Sequence, residues 1–80
     1  MDIVIGSVVR SIAGHDKGDL LLVVDMADGY AYVSDGKLRR VEKPKKKKIK
    51  HLQGTHYVTE EEFSENFMVR NILSEYLKRV

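Results

Sequence analysis

The sequence predicts a mainly β fold, in which five short antiparallel strands form a small barrel and one amphipathic helix follows. Runs rich in Val, Ile, Leu and Tyr fill most of the first 54 residues. Glycine-containing turns separate these runs at short intervals, which is typical of strands joined by tight reversals. Later apolar residues recur at helical spacing instead. The chain therefore divides into a barrel, residues 1–54, and a helix on the barrel, residues 55–80.

Residues 3–13 and 20–26 are the first two predicted strands, because both are rich in β-branched and other apolar residues. Gly14 and Gly18 bracket the turn between them and allow the positive φ angles of a tight reversal. Side chains alternate between the two faces of a strand, yet residues 20–24 are all apolar. This second strand is therefore expected to be covered on both faces.

Asp-Gly pairs at residues 28–29 and 35–36 flank a third predicted strand, residues 30–34. Residues 38–41 are the fourth. Pro44 then interrupts the pattern and the lysines after it repel one another, so residues 43–47 are expected to form an exposed loop. Residues 48–53 are the fifth. Five short strands in about 50 residues favour a barrel of the SH3-like kind.

Thr59 and Glu62 have the spacing of a capping box, which predicts that the helix begins after Thr59. Its glutamates outnumber its basic residues, giving a net charge of −2, so it is not expected to bind a polyanion. We expect its apolar stripe to pack on the open face of the second strand; docking on a partner or a second copy is the alternative. The stripe consists of Phe63, Phe67, Ile72, Leu73, Tyr76, Leu77 and Val80.

Positive charge is concentrated in residues 37–50, where nine of fourteen residues are Lys or Arg and only Glu42 is acidic. This segment has a net charge of +8, whereas the whole chain has +2. Such a concentration is typical of a surface that binds a polyanion; a solvated charged loop is the alternative. The candidate contacts are Lys17, Lys37, Arg39, Arg40, Lys43, Lys45, Lys46, Lys47, Lys48 and Lys50.

Several of these candidate residues have a second interpretation. Arg39 can pair with Glu42, and Lys17 can pair with a neighbouring aspartate. Tyr30 and Tyr32 share one face of the third strand, where they either stack on bases or pack against other side chains. Charge alone does not separate RNA from DNA.

The residue types present argue against an enzyme. The chain has 80 residues and no cysteine, and it lacks a nucleophile elbow and a phosphate-binding glycine loop. His15 beside Asp16, and His51 with His56, are only fragments of a catalytic or metal site. We therefore expect no catalysis, no metal and no cofactor. Without a signal peptide or a membrane-spanning apolar run, a cytoplasmic, monomeric protein is expected, with no membrane partner.

Two strands joined by Gly14-x-x-Lys17-Gly18 resemble a KOW motif. Over residues 5–52 the chain is also similar to the large-subunit ribosomal proteins numbered fourteen-e and their six-e and twenty-seven-e relatives, in particular the short prokaryotic forms. The matching series is Gly14-x-x-Lys17-Gly18, Leu22-Val-Val-Asp25, Val33-Ser-Asp-Gly36, Arg39-Arg40-Val41, Pro44-x-Lys46 and Lys50-His-Leu52.

The sequence departs from this family at two places. Many KOW motifs have another glycine where Asp19, Leu20 and Leu21 stand, and the long basic extension of the eukaryotic proteins is absent. The resemblance implies an SH3-like barrel that binds structured RNA, with ribosomal RNA as the expected ligand, through the basic residues, and with ribosomal or other translation proteins as further partners. An adaptor that binds a protein of the transcription or translation machinery is the second hypothesis. A nuclear address in residues 44–50 is the third.

Overall fold

A computed structural model describes residues 2–79 and shows a five-stranded antiparallel sheet followed by one helix. The mainly β fold with a C-terminal helix is therefore confirmed. The strand order in the sheet is β4-β3-β2-β1-β5. The elements are β1 Ser7–Ser11, β2 Leu20–Ala27, β3 Tyr30–Ser34, β4 Lys45–Lys48, a 3₁₀ turn Ile49–His51, β5 Leu52–Val58 and α1 Asn66–Arg79.

Strand β2 lies at the centre of the sheet and is covered on both faces, as its sequence predicts. Leu21 and Val23 belong to a first core cluster on the inner face of the sheet. Leu22 belongs to a second cluster, which packs between the outer face and α1. The first cluster is Val9, Leu21, Val23, Ala31, Val33 and Leu52. The second is Val8, Leu22, Val69, Ile72 and Leu73.

The helix packs on the sheet through the middle of its predicted stripe. Ile72 and Leu73 are buried in the second cluster, whereas Phe67 and Leu77 remain 51% and 54% exposed. The prediction of intramolecular packing is therefore confirmed, although part of the stripe faces solvent. Val80 lies outside the described residues.

The predicted start of the helix is wrong, because α1 begins at Asn66 rather than after Thr59. The Thr59 N–H donates to the carbonyl of Gly6, which ties this residue to the end of the sheet. Its hydroxyl accepts the N–H of Glu61 in a local turn that does not continue as a helix. Since the four glutamates of residues 60–65 precede the helix, α1 carries a net charge of +2 rather than −2.

The fourth strand also differs from the prediction. Residues 38–41 lie in a loop, and the segment predicted to be an exposed loop contributes β4, which pairs with β3 from Lys45 opposite Val33 to Lys48 opposite Tyr30. In the loop, the Asp35 carboxylate accepts the N–H groups of Lys37 and Arg39. Such local side-chain bonds compete with strand pairing.

The fifth strand is displaced along the chain as well, since β5 is Leu52–Val58 rather than residues 48–53. The predicted domain boundary after residue 54 therefore falls inside a strand. The turn before β5 connects the two edge strands: Ile49 N–H donates to Gly29 O on one side, and His51 O accepts the N–H of Ile12 on the other. Within residues 2–79, β4 and β5 form no ladder with each other.

Replacing Ile72 with Ala should destabilise the protein by about 2–5 kcal/mol, because it removes methyl groups from the second core cluster. Leu77→Ala is the matched control on the same helix, where the side chain is 54% exposed; its cost should be about 0.5 kcal/mol. Urea unfolding followed by circular dichroism measures both. Equal losses in the two variants would mean that α1 does not pack as described.

Candidate nucleic-acid interface

Strand β4 consists of four consecutive lysines, and the pairing with β3 determines where each one points. Lys45 lies opposite Val33 and Lys47 opposite Ala31. Because directly opposite residues share a face of the sheet, these two lysines point toward the first core cluster. The other two lysines therefore point to the outer face.

The inward-facing Lys47 is buried, and its ammonium group has three partners. Its Nζ lies 2.6 Å from Asp16 Oδ1, 2.9 Å from Ser11 Oγ and 3.1 Å from the carbonyl of Ala13. Lys47 and Asp16 are each only 7% exposed. The Nζ of Lys45 lies 3.7 Å from Asp16 Oδ2. A buried charge needs such a partner, since the loss of hydration alone costs several kcal/mol.

Asp16 is held in its ionised form by these contacts. Burial raises the pKa of its carboxyl, but hydrogen bonds from Lys47 and Ser11 and the charges of Lys47 and Lys45 outweigh burial and lower the pKa from 3.8 to about 2. Lys47 is therefore neutralised within the fold and does not face an external polyanion. Lys47 is thus not among the lysines that can contact a ligand directly. Lys17, proposed as a partner of Asp16 from the sequence, is exposed instead.

The loop between β3 and β4 is held in place by the first two turns of α1. Asn66 Oδ1 accepts the N–H of Val41, and its Nδ2 donates to Glu42 Oε1, each at 2.8 Å. Arg70 Nη1 donates to the carbonyl of Gly36, also at 2.8 Å. Gly36 has a φ of +75°, and a Cβ there would overlap the backbone of Asn66. The helix therefore fixes the conformation of the basic loop.

Arg40 forms an exposed ion pair with Glu42, at 2.7 Å between Nε and Oε2. Hydrogen bonds from Arg40 and Asn66 lower the pKa of the Glu42 carboxyl to about 2. The sequence had suggested Arg39 as the partner of this glutamate. Arg40 is thus partly neutralised, and its charge is less available to a ligand than that of the unpaired cations.

The outward-facing lysines Lys46 and Lys48 lie beside two tyrosines. Lys46 is opposite Tyr32 and Lys48 is opposite Tyr30, and the Nζ of Lys46 lies 4.4 Å from the centre of the Tyr30 ring. Both lysines are exposed. Within residues 2–79 the three ion pairs involve neither of them. This face can therefore present two unneutralised charges to a ligand.

The other predicted contacts lie in the connections around β4. Asp19, Asp35 and Lys37 line one groove of about 670 Å³, so the turn before β2 and the loop after β3 lie at the same end of the sheet, as strand alternation predicts. The basic set thus divides between the outer face of β4 and its flanking segments. The loop carries Lys37, Arg39, Arg40 and Lys43, the turn before β2 carries Lys17, and the turn after β4 carries Lys50.

Asp16, Asn66 and Arg70 position this site, and sequence reasoning did not identify them in that role. From the sequence, Asp16 is expected either to pair with its neighbour Lys17 or to form a fragment of a catalytic site with His15. An apolar-polar alternation would have shown which face of β4 is buried, but a run of four lysines contains none. Asn66 and Arg70 act on a loop at least 24 residues away in sequence, which no local pattern indicates.

No protein-family model matches this chain, and no curated protein does either. The helices among residues 2–79 are too short or too polar to cross a membrane. The same residues contain no group of three or more His, Cys, Asp or Glu side chains placed to hold a metal ion. A functional assignment therefore depends on the geometry above and on the sequence resemblance.

Asp16→Asn should destabilise the protein by about 3–5 kcal/mol, because it leaves the ammonium of Lys47 buried without a counter-charge. Adding Lys47→Met should restore much of this loss, since both charges are then absent. Arg40→Gln, which breaks an exposed pair, is the control and should cost less than about 1 kcal/mol. Urea unfolding measures the stability of these three variants and of the single variant Lys47→Met. If the losses from Asp16→Asn and Lys47→Met simply add, the two side chains are not coupled.

Acid should weaken the wild type more than the Asp16→Asn/Lys47→Met variant. Folding lowers the pKa of Asp16 from 3.8 to about 2. The contribution of the ionised carboxylate to the free energy of unfolding is therefore fully present above about pH 5 and is lost as the pH falls through 2. This contribution is roughly 2 kcal/mol. Urea unfolding at several pH values should show the two stabilities converging toward pH 2. Parallel pH profiles would contradict an ionised Asp16.

Proposed function

We propose that this protein is a non-catalytic RNA-binding module that contacts the phosphate backbone through β4 and the loop before it. The observation that carries the proposal is the outer face of β4, where Lys46 and Lys48 project side by side without a carboxylate partner among the described residues. Lysines act as point charges, which suit phosphates and do not read sequence.

The buried pair of Lys47 and Asp16 supports this proposal because it holds the strand that presents the charges. Lys46 and Lys48 are two residues apart on one strand, so their Cα atoms are about 6.6 Å apart. A strand fixed on the sheet keeps this separation before the ligand arrives. Preorganised groups lose less conformational entropy on binding than groups on a mobile tail.

RNA rather than DNA is proposed because of the resemblance to the ribosomal KOW proteins, which also makes ribosomal RNA and a cytoplasmic location the working hypothesis. The course of the sheet agrees with that resemblance. Only three residues, Ile49–His51, lead from one edge strand to the other, which brings the two edges of the sheet close together. We infer that the sheet is a strongly curved barrel of the SH3-like kind.

An adaptor function is the second candidate, and one groove favours it. Leu38 is 89% exposed and lines this groove with Leu77, which is 54% exposed. Leu20 and Leu73 contribute further apolar surface. Contiguous exposed apolar side chains often mark a protein interaction site. The partner in this case would be a protein of the transcription or translation machinery.

Reversing both outer charges, in Lys46→Glu/Lys48→Glu, should weaken RNA binding more than tenfold and lower the salt dependence. The wild type should show a log-log salt slope of about −3 to −4 if it contacts roughly five phosphates of single-stranded regions. Each lysine lost from a phosphate contact should reduce that slope by about 1. Fluorescence anisotropy with a labelled structured RNA, titrated at several salt concentrations, measures both quantities.

Lys78→Glu/Arg79→Glu is the matched control, because it changes the net charge by the same amount at the end of α1. Glutamates at 46 and 48 also keep the edge strand charged, so edge-to-edge aggregation does not confuse the comparison. Equal losses of RNA affinity in the two double variants would show that the RNA is attracted by the net charge of the protein and not by a defined surface. A wild-type partner complex that resists nuclease and salt and is lost on Leu38→Ser would favour the adaptor.

A further inference from the structure

Two of the four tyrosines are not used by the hydrophobic core. Tyr57 and Tyr76 pack against the second core cluster, with their ring centres 5.8 Å apart. Tyr30 and Tyr32 belong to neither cluster within residues 2–79. They lie two residues apart in β3 and so share its outer face with Lys46. Both residues are half-buried outside the two clusters, so part of each ring remains accessible to a ligand.

We propose that the outer face of β3 and β4 binds unpaired bases of single-stranded RNA. The rings of Tyr30 and Tyr32 stack on the bases, and Lys46 and Lys48 contact the phosphates of the same strand. This inference depends on the RNA-binding function proposed above and goes beyond it by naming the form of RNA. Many proteins bind single-stranded nucleic acids through aromatic rings that alternate with basic residues on an open sheet.

The spacing of the two tyrosines selects an unstacked strand. Residues two apart on a strand are separated by about 6.6 Å, whereas bases within a helical stack follow one another at about 3.4 Å. Two bases on these rings are therefore spread apart rather than stacked on each other. A double helix keeps its bases paired and stacked, so only a single strand or a loop can supply them.

The contact between Lys46 and Tyr30 is compatible with this use. The ammonium lies 4.4 Å from the ring centre, and such a contact at an exposed site contributes about 0.5–1 kcal/mol. Stacking of one base on an aromatic ring contributes about 1–3 kcal/mol. A base therefore displaces the ammonium, which then lies beside the phosphate of the same nucleotide. The free protein keeps the ring covered until the ligand arrives.

The two tyrosines lie outside the part of the face that α1 covers most, and each is half-buried. The helix covers the outer face around Leu22, while the tyrosines lie beyond the point where the pairing of β2 with β3 shifts, between Val23 and Asp25. The face ends at the turn that contains Gly29. A Cβ added to this glycine would meet no other atom within 4 Å. At Gly29 this end of the face is therefore not covered by another segment of residues 2–79.

The test compares Tyr30→Leu/Tyr32→Leu with Tyr30→Phe/Tyr32→Phe, because leucine keeps an apolar side chain without a ring and phenylalanine keeps the ring. Binding of a labelled ten-nucleotide single strand and of a short RNA duplex is measured by anisotropy at one salt concentration. The leucine pair should lose at least about tenfold in affinity for the single strand and little for the duplex. The phenylalanine pair should stay within about threefold of the wild type for both.

Single-strand binding by the leucine pair at wild-type strength overturns the stacking role and leaves the proposed function standing. Equal losses of affinity for the single strand and the duplex in the leucine pair overturn the stacking role too, because the rings would then only stabilise β3. If the wild type binds neither RNA in a salt-dependent way, both proposals fail.

A second measurement covers a leucine pair that does not fold. The chain has four tyrosines and no tryptophan, so in Tyr57→Phe/Tyr76→Phe only Tyr30 and Tyr32 emit. Their fluorescence should be quenched by the single strand and not by the duplex. Unquenched emission with bound single strand overturns the inference.

Discussion

The ion pair of Asp16 with Lys47 is the interaction on which the arrangement of the basic face depends. A strand of four lysines is a poor candidate for a sheet, because like charges repel and an inward-facing ammonium loses its hydration. Asp16 removes this obstacle for Lys47 by pairing with its ammonium group. It also offsets part of the charge of Lys45, which lies farther from the same carboxylate. The remaining two lysines are then directed outward by the alternation of the strand. One buried carboxylate thus determines which charges a ligand can meet.

The helix positions part of the site but does not supply the outward-facing lysines. Its buried residues cover the outer face of β2, and polar residues of its first two turns, Asn66 and Arg70, hold the basic loop. Because Val69, which lies between these two residues, packs into the second cluster, the loop is coupled to the stability of the core. A weaker contact between the helix and the sheet would therefore also loosen the loop cations, although they lie outside the core.

The sequence predicted the parts of the fold in which a local pattern reports the environment. The double apolar face of β2, the glycine turns and the packing of the helix stripe are of this kind. The strand β4 was missed because Lys47 is paired with a residue 31 positions away, and no property of a lysine run indicates a distant carboxylate. The start of α1 was wrong since Thr59 bonds to the sheet, so a capping pattern was overruled by tertiary contacts.

Lysines on an edge strand also have a purely structural use, because their charges discourage pairing with another molecule. That use needs charge along the free edge of β4 and places no demand on the neighbouring strand. The outer face shows a further feature: two aromatic rings lie on β3 directly opposite the two exposed lysines, and neither ring belongs to a core cluster formed by residues 2–79. Edge protection does not require aromatic rings on the neighbouring strand, whereas the proposed binding of a nucleic-acid strand uses the rings and the lysines together.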